Sequence, residues 1–288
     1  MISLLFTKFR IHPLFWLIIA AGMATGHLWE AAIAFFIVLI HECGHAAMAL
    51  HFGWIVKKIE LLPFGGVAEL DENGDDSFRR ESAVILAGPL MNVVLALIGP
   101  FLVLLPFWGT AQQEIFRNQN LAILLFNLLP AWPLDGGRLL HLVLQQFYPF
   151  RQAYRYILIF SWVVLILFSA LMLWLFSFSA SFVVVALFLT VVIFKEWRAI
   201  PLHFIRFLLA LSRRTHPAAR IRNLYLRPET RLVTVFSMFY RNSEHHIFIT
   251  GSRDGPLEGR RLVTDYLLGR HPGPLLGDCR DRPADRFI

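Results

Sequence analysis

Long apolar stretches separated by short polar connections fill the first two thirds of the chain. A stretch of about 17 to 25 apolar residues is the length that crosses a bilayer as a helix. Six such stretches predict an all-α polytopic membrane fold with six transmembrane helices, at residues 12–29, 31–50, 81–106, 119–147, 156–177 and 178–195. The fourth carries two prolines and a Gly-Gly pair, which lipid tolerates only where protein or a water-filled cavity covers the helix. We therefore expect the fourth stretch to lie inside the bundle.

The last third of the chain has a different pattern. Residues 196–219 predict an amphipathic linker near the membrane surface, and residues 220–288 are polar and rich in Arg, Gly and Pro. The segments LYLRPET and HIFIT predict short strands, whereas RLVTVFSMFY and GRRLVTDYLL predict helices. The chain thus divides into a membrane domain at 1–195, a linker at 196–219, and a small cytoplasmic α/β module at 220–288.

Composition and charge agree with a membrane protein. Hydrophobic residues make up 57% of the chain and charged residues 16%, against about 25% charged residues in a typical soluble domain. This balance argues against a soluble globular, disordered or free nucleic-acid-binding protein, so we expect the lipid bilayer as a partner and no direct nucleic acid. Lys and Arg concentrate in alternate connections, which predicts cytoplasmic N- and C-termini.

One short motif in the second apolar stretch carries metal chemistry. Residues 41–45 read HECGH, and two histidines four residues apart share one helix face and can bind one metal ion. Glu42 lies beside them, where a carboxylate can accept a proton from water. Ionisable groups at mid-membrane are costly and are usually functional. A buried, hydrogen-bonded histidine pair is the structural alternative.

A catalytic zinc site needs a third protein ligand. Away from the ends of the predicted spans, the carboxylates are those of Glu42 and Asp135, so elimination selects His41, His45 and Asp135 for one Zn²⁺ per chain. The alternative makes Asp135 a helix cap before Gly136. Asn127 is a further candidate, either as a contact to the substrate or its oxyanion, or as a polar clamp between helices.

These residues predict a zinc endopeptidase in which Glu42 is the general base for water attack on a peptide carbonyl. A metal-ion or proton transporter is the alternative, because intramembrane His and Asp also mark ion pathways. Against it, a transporter has no need of the Glu in this motif, and the chain shows no internal repeat. A purely structural metal site would use four ligands, and three are available.

HECGH in a transmembrane helix, followed by NLLPAWPLDGG at 127–137, resembles the site-2 protease family of intramembrane zinc metalloproteases. GPLMN at 88–92 and PFGG at 63–66 are also similar to that family. The short loops and the C-terminal module are most similar to its members that act in endospore formation. The resemblance implies zinc bound by His41, His45 and Asp135, catalysis by Glu42, a membrane-associated pro-sigma factor as substrate, inhibitory membrane protein partners, and the membrane that surrounds the forespore.

Two further interpretations concern regions outside the motif. The hairpin-like stretch at 59–70 contains Gly65 and Gly66, which permit another backbone to approach closely. We expect a substrate to pair there as an added strand; the alternative is a surface or re-entrant loop.

The C-terminal module resembles a single CBS unit, which implies an adenine nucleotide as a second cofactor, with Asp265 as a ribose contact. A solvated helix face is the alternative for Asp265.

Overall fold

The structure is a computed structural model. It describes the backbone of eight segments, residues 9–11, 26–62, 65–71, 78–175, 180–214, 220–252, 255–270 and 273–281. The first predicted span, at 12–29, falls almost entirely outside these segments.

The described elements follow one another in this order. They are β1 (Phe9–Ile11), α1 (Leu28–His51), β2 (Ile55–Leu62), β3 (Gly65–Asp71), α2 (Phe78–Ile98, extended by a 3-10 turn at Gly99–Leu104), α3 (Thr110–Asn127), α4 (Asp135–Phe147), α5 (Phe150–Leu175), α6 (Ala180–Arg213), β4 (Arg220–Leu226), α7 (Leu232–Ser237), β5 (Ser243–Ile249), β6 (Leu257–Glu258), α8 (Gly259–Leu267) and a 3-10 turn at Gly277–Asp281.

Among the described residues, three helices are long and apolar enough to cross a membrane: Leu28–His51, Phe78–Leu104 and Phe150–Trp174. Large apolar side chains on them point outward, such as Leu97, which is 70% exposed, and Trp174, which is 81% exposed. A water-soluble helix would turn such residues inward, because water penalises exposed apolar area. The outward apolar faces fit helices that are surrounded by lipid.

The fourth predicted span is not one helix, and in this respect the prediction is wrong. Helix α3 ends at Asn127 and α4 begins at Asp135, with a seven-residue irregular segment, 128–134, between them. Pro130 and Pro133 lie in that segment, and proline both removes a backbone donor and disfavours a helical conformation at the preceding residue. The broken segment brings the start of a new helix, and Asp135 with it, into the interior of its unit.

The helix that contains the sixth predicted span does not end at residue 195 but continues to Arg213. Ile200, Phe204, Leu208 and Leu211 are buried at spacings of three or four residues, so an apolar stripe persists along one helix face. The helix therefore runs through most of the region that we predicted as a linker. The division into a membrane domain, a linker and a module remains a prediction.

Two small sheets flank the helices in sequence. In the first, β1 pairs parallel with β2, and β2 pairs antiparallel with β3, with Leu61 opposite Gly66 and Leu62 opposite Gly65. The hairpin-like stretch is therefore a hairpin. In the second sheet, β4 pairs parallel with β5, and β5 pairs antiparallel with β6.

The C-terminal tail, which begins at residue 220, packs around an apolar core. Phe236, Phe239, Ile247, Val263 and Leu276 are at most 1% exposed. The same cluster includes buried residues from the C-terminal half of α6, namely Phe204, Leu208 and Leu211. A module of about 70 residues buries too little surface to be very stable alone, so α6 supplies part of its core.

Contacts group the chain into two compact units. One contains residues 1–140 and 160–191, and the other contains residues 141–159 and 192–288. The candidate metal site lies within the first unit and the core of the tail within the second.

Candidate metal centre

Two histidines from α1 meet at the centre of the candidate site. His41 and His45 are one helical turn apart, their Nε2 atoms lie 3.2 Å from each other, and the rings meet edge to face with centroids 4.8 Å apart. Both are buried, at 3% and 7% exposure. The i, i+4 spacing read from the sequence therefore places both imidazoles on one buried face, as predicted.

The other nitrogen of each ring has its own hydrogen-bond acceptor. His41 Nδ1 donates to Asn92 Oδ1 at 2.8 Å, and His45 Nδ1 donates to the Val84 carbonyl oxygen at 2.8 Å. A neutral imidazole protonated at Nδ1 carries its lone pair at Nε2. Both Nε2 lone pairs are therefore available for the same small volume between the rings.

Asp135 joins the two histidines from a distant part of the chain. Its Oδ2 lies 3.0 Å from His41 Nε2 and 3.2 Å from His45 Nε2, and the residue is 6% exposed. Asp135 is the first residue of α4, immediately after the irregular segment. A Cβ on Gly136 would overlap the Leu128 carbonyl, and one on Gly137 would overlap Ala131. The two glycines therefore let the segment at 128–134 fold back over the start of α4.

The three atoms fit a zinc ion. Zinc binds His nitrogen and carboxylate oxygen at about 2.0 to 2.2 Å, which in a tetrahedron sets ligand atoms about 3.3 Å apart. The observed separations are 3.0, 3.2 and 3.2 Å. Two imidazole lone pairs and a carboxylate oxygen repel one another at this distance unless a cation or a shared proton sits among them. The donor set and its spacing therefore fit a zinc site with three protein ligands.

Glu42 adds a second carboxylate to the site. Ligand atoms of His41, Glu42 and His45 all lie within 4.8 Å of one another, and Glu42 is 5% exposed. Its neighbour Cys43, at the next position of α1, is half-buried. The structure thus places a buried carboxylate beside the two histidines.

Two glycines allow the helices to approach closely enough to build this site. A Cβ on Gly44 would lie 2.6 Å from the Ala87 carbonyl oxygen and from Met91 Cγ of α2. A Cβ on Gly88 would overlap the imidazole of His45 and lie 2.7 Å from His41 Nε2. Glycine at both positions is required for α2 to pass against the face of α1 that carries His41 and His45.

The three remaining predicted site residues are Asn127, Gly65 and Gly66. Asn127 is the last residue of α3, and its Nδ2 donates to the Ile123 carbonyl oxygen of the same helix at 3.1 Å. Gly65 and Gly66 begin β3. A role for any of the three in substrate or oxyanion binding remains a prediction.

Sequence reasoning missed the residues that orient the histidines. Asn92 is completely buried, and it appears in the GPLMN motif without an assigned role. A signal was available, because an Asn in an otherwise apolar span is costly unless it binds something. Val84 could not have been found, because its contribution is a backbone carbonyl that every residue has.

The comparisons with known proteins identify the family. The model of peptidase family M50 matches residues 30–118. Stage IV sporulation protein FB of Bacillus subtilis is 37% identical over 265 residues, which is 91% of this chain and 92% of that protein. The chain belongs to the site-2 protease family, peptidase family M50.

Two further comparisons agree with this family. A zinc metalloprotease of Methanocaldococcus jannaschii is 34% identical over 121 residues, 40% of this chain and 34% of that protein. The solved structure of the site-2 protease from the same organism has the same fold, with a TM-score of 0.54 and 24% identity over 65% of this chain and 89% of that one. This chain is therefore a membrane-embedded zinc metallopeptidase, and the relatives favour the peptidase over the transporter.

Proposed function

We propose that this protein cleaves a membrane-associated protein by using His41, His45 and Asp135 as zinc ligands and Glu42 as general base. The convergence of the three ligand atoms to within 3.2 Å in a buried site carries the proposal. A buried carboxylate close to both histidines supplies the remaining catalytic group.

The chain's own residues have distinct tasks in this reaction. A bound zinc ion supplies Lewis-acid polarisation of the scissile carbonyl and acidifies a water molecule. Glu42 takes the proton of that water on a carboxylate oxygen and later returns it to the leaving amine nitrogen. The His45 Nδ1–H bond to a backbone carbonyl and the His41 Nδ1–H bond to Asn92 keep both Nε2 lone pairs aimed inward. Burial of these groups in a low-dielectric interior strengthens each electrostatic contribution.

Replacing Glu42 by Gln tests the assignment most directly. The amide keeps the size of the side chain but cannot accept the proton, so cleavage should fall by about 10²- to 10⁴-fold while zinc content is unchanged. Metal analysis and cleavage of a co-reconstituted membrane substrate give the two readouts. Glu114→Gln, at an exposed position of α3, is the matched control and should cleave like the parent. Cleavage at the parent rate by Glu42→Gln would refute the role of Glu42.

The proposed substrate class rests on the resemblance to the sporulation protein of Bacillus subtilis. That protein's name places it in stage IV of sporulation, and the family resemblance implies a pro-sigma factor at the membrane that surrounds the forespore. We propose such a factor as the substrate of this chain, with both termini of the enzyme in the cytoplasm and with inhibitory membrane proteins as partners. Mixing the purified enzyme with a panel of membrane-associated pro-sigma factors and unrelated single-span proteins tests this choice, because preferential cleavage of the former is expected.

The hairpin β2–β3 supports the proposed mode of substrate binding. A helical substrate presents no accessible peptide bond, so it must become extended before cleavage. One side of β2 is paired with β1 and the other with β3, so β1 and β3 are the edge strands among the described residues. The outer side of β3, the longer of the two, is the edge that we propose for an added strand. Gly66→Trp should reduce cleavage and leave zinc content unchanged. Unchanged cleavage would count against strand pairing at this edge.

A cavity between β5 and α8 is a candidate place for a nucleotide in the tail, although Asp265, the predicted ribose contact, is not among the residues that line it. Its lining includes Arg214 and Arg260 as well as Glu244 and Glu258. We propose that an adenine nucleotide binds to the tail, on the strength of the resemblance of the tail to a CBS unit. A rise in the melting temperature of the full chain with ATP, absent with inorganic phosphate and lost in Arg260→Ala, is the expected result. No shift at millimolar ATP would remove the nucleotide from the proposed function.

A further inference from the structure

The two metal-binding imidazoles are oriented by different kinds of acceptor. His45 Nδ1 donates to a backbone carbonyl, that of Val84, which side-chain substitution does not remove. His41 Nδ1 donates at 2.8 Å to the side-chain oxygen of Asn92. Of the two rings, His41 therefore depends on the identity of a single amino acid for its orientation.

Asn92 is in turn held in place by a third helix. Asn120 of α3 donates through Nδ2 to the Asn92 backbone carbonyl oxygen at 2.9 Å. Asn92 is completely buried, and Asn120 is 2% exposed. The hydrogen bonds thus run from α3 to α2 and from α2 to the metal-binding face of α1.

This pair of amides is a poor choice for stability alone. Asn92 Nδ2 and Asn120 Oδ1 are buried and have no hydrogen-bond partner among the described residues. A buried amide group that lacks a partner costs free energy, whereas a Leu of similar volume would pack without that cost. Two half-satisfied amides next to the metal-binding face are therefore better explained by what they do for His41.

We propose that Asn92 is a positioning residue of the metal centre, and that Asn120 fixes the part of α2 that carries it. Asn92 Oδ1 holds the proton of His41 on Nδ1, which leaves the lone pair on Nε2 and sets the rotation of the ring toward Asp135. Partners that orient a metal-binding His in this way typically contribute about 10- to 100-fold to metal affinity. The inference rests on the proposed zinc ligands and adds to them the group that decides the tautomer of one of them.

Zinc affinity of the full-length protein in detergent tests the proposal without relying on activity. Competition with a chromophoric chelator should show about 10- to 100-fold weaker binding for Asn92→Leu. Asn92→Asp keeps an acceptor at the same place, so it should restore affinity to near the parent value. Asn120→Leu should weaken binding by less than Asn92→Leu, because it acts through Asn92. Asn118→Leu, an exposed amide on the same helix, is the control and should bind like the parent.

Two spectroscopic readouts report on the geometry itself. Replacing zinc by Co²⁺ should give a visible absorption spectrum that changes in Asn92→Leu and is regained in Asn92→Asp. In the metal-free parent, ¹⁵N resonances of His41 should show the Nδ1-protonated form, a measurement that needs no variant to fold. The Nε2-protonated form, or equal zinc affinity of Asn92→Leu and the parent, would overturn the proposal.

Failure of the positioning role is distinguishable from failure of the zinc site. Asp135→Asn should lose zinc binding if the proposed ligands are correct, whatever Asn92 does. If Asp135→Asn loses zinc and Asn92→Leu keeps it, the positioning role alone is wrong. If Asp135→Asn binds zinc like the parent, the ligand set is wrong.

Discussion

The candidate metal centre and the core of the tail bury opposite kinds of side chain. His41, Glu42, Asn92 and Asp135 are at most 6% exposed, and the helices of their unit turn leucines outward. In the tail, Phe236 and its apolar neighbours are buried, whereas charged residues of β4 such as Arg220 are exposed. Water drives apolar groups inward in the tail. Lipid gives apolar groups no preference for the interior, so the interior of the helical unit is available for polar chemistry.

The largest expected effect comes from adding a side chain at Gly88, where the two helices pass closest to the candidate metal centre. Gly88→Val would push into the imidazoles of His41 and His45, so zinc affinity should fall more than 100-fold and cleavage should fall to background. Dialysis against a zinc buffer series, followed by metal analysis, measures the first effect. Val93→Ala, at an outward-facing position of the same helix, should change neither quantity. Retained zinc affinity in Gly88→Val would mean that the helices do not approach as closely as described.

A substitution that creates a cavity in the apolar core of the tail should have the next largest effect, which is on the stability of the tail. Phe236→Ala removes a side chain that is 1% exposed, and such truncations cost about 3 to 5 kcal/mol of unfolding free energy. Hydrogen exchange of peptides from 220–252 and 255–270 measures this in the full chain. Val233→Ala on the same short helix is 50% exposed, and we expect a change within about 0.5 kcal/mol. Equal protection in the parent and Phe236→Ala would argue against an apolar core in the tail.

An aspartate at an outward-facing apolar position in each region compares exposure to lipid with exposure to water. Leu90 is 56% exposed near the middle of the Phe78–Leu104 segment, and Ile221 is 62% exposed on β4. An aspartate at the centre of a membrane helix costs about 2.5 to 3.5 kcal/mol on insertion scales, whereas propensities in a strand span only about 1 kcal/mol. Leu90→Asp should therefore reduce membrane insertion measurably, and Ile221→Asp should leave the tail folded. Equal tolerance at both positions would show that Leu90 does not face lipid.

The smallest expected effect is a pH dependence of the tail. Burial lowers the pKa of His245 to about 4, with the positive charges of Arg222 and His246 acting in the same direction. Its Nε2 accepts a hydrogen bond from the Tyr240 backbone N–H at 2.9 Å. The unfolded chain binds this proton near pH 6.5, so the stability of the tail should fall as pH drops from about 6.5 toward about 4. Hydrogen exchange across that range should show a shallower slope for His245→Gln; identical slopes would remove His245 as the cause.

Much of the fold could be predicted because its signals are local. Apolar length predicted the helices that contain His41 and Gly88, and the alternation of strand and helix in the tail is confirmed by β4, α7, β5 and α8. The short strand β6 was missed, since two residues give no periodicity. The continuation of α6 to Arg213 depends on Phe204, Leu208 and Leu211, whose value comes from the core that they share with the tail.

The candidate site likewise contains residues that the sequence could predict and residues that it could not. The HECGH spacing is sufficient to place His41 and His45 on one helix face, because the helical repeat alone fixes their relative positions. The approach of Asp135 was inferred by elimination and is present at 3.0 and 3.2 Å. Asn92 and Asn120 were not assigned, because their roles arise from contacts that span 51 and 28 residues of sequence.

The sequence by itself determined that this chain is a membrane protein and that it carries metal-binding residues. It could do so because hydropathy, the cost of buried ionisable groups and the helical repeat are properties of short segments. The tertiary structure alone decided which nitrogen of each imidazole faces the site, how a broken helix delivers Asp135, and why glycine stands at 44 and 88. Those features depend on how closely separate helices pass one another, and side-chain volumes at the crossing, rather than local pattern, set that distance.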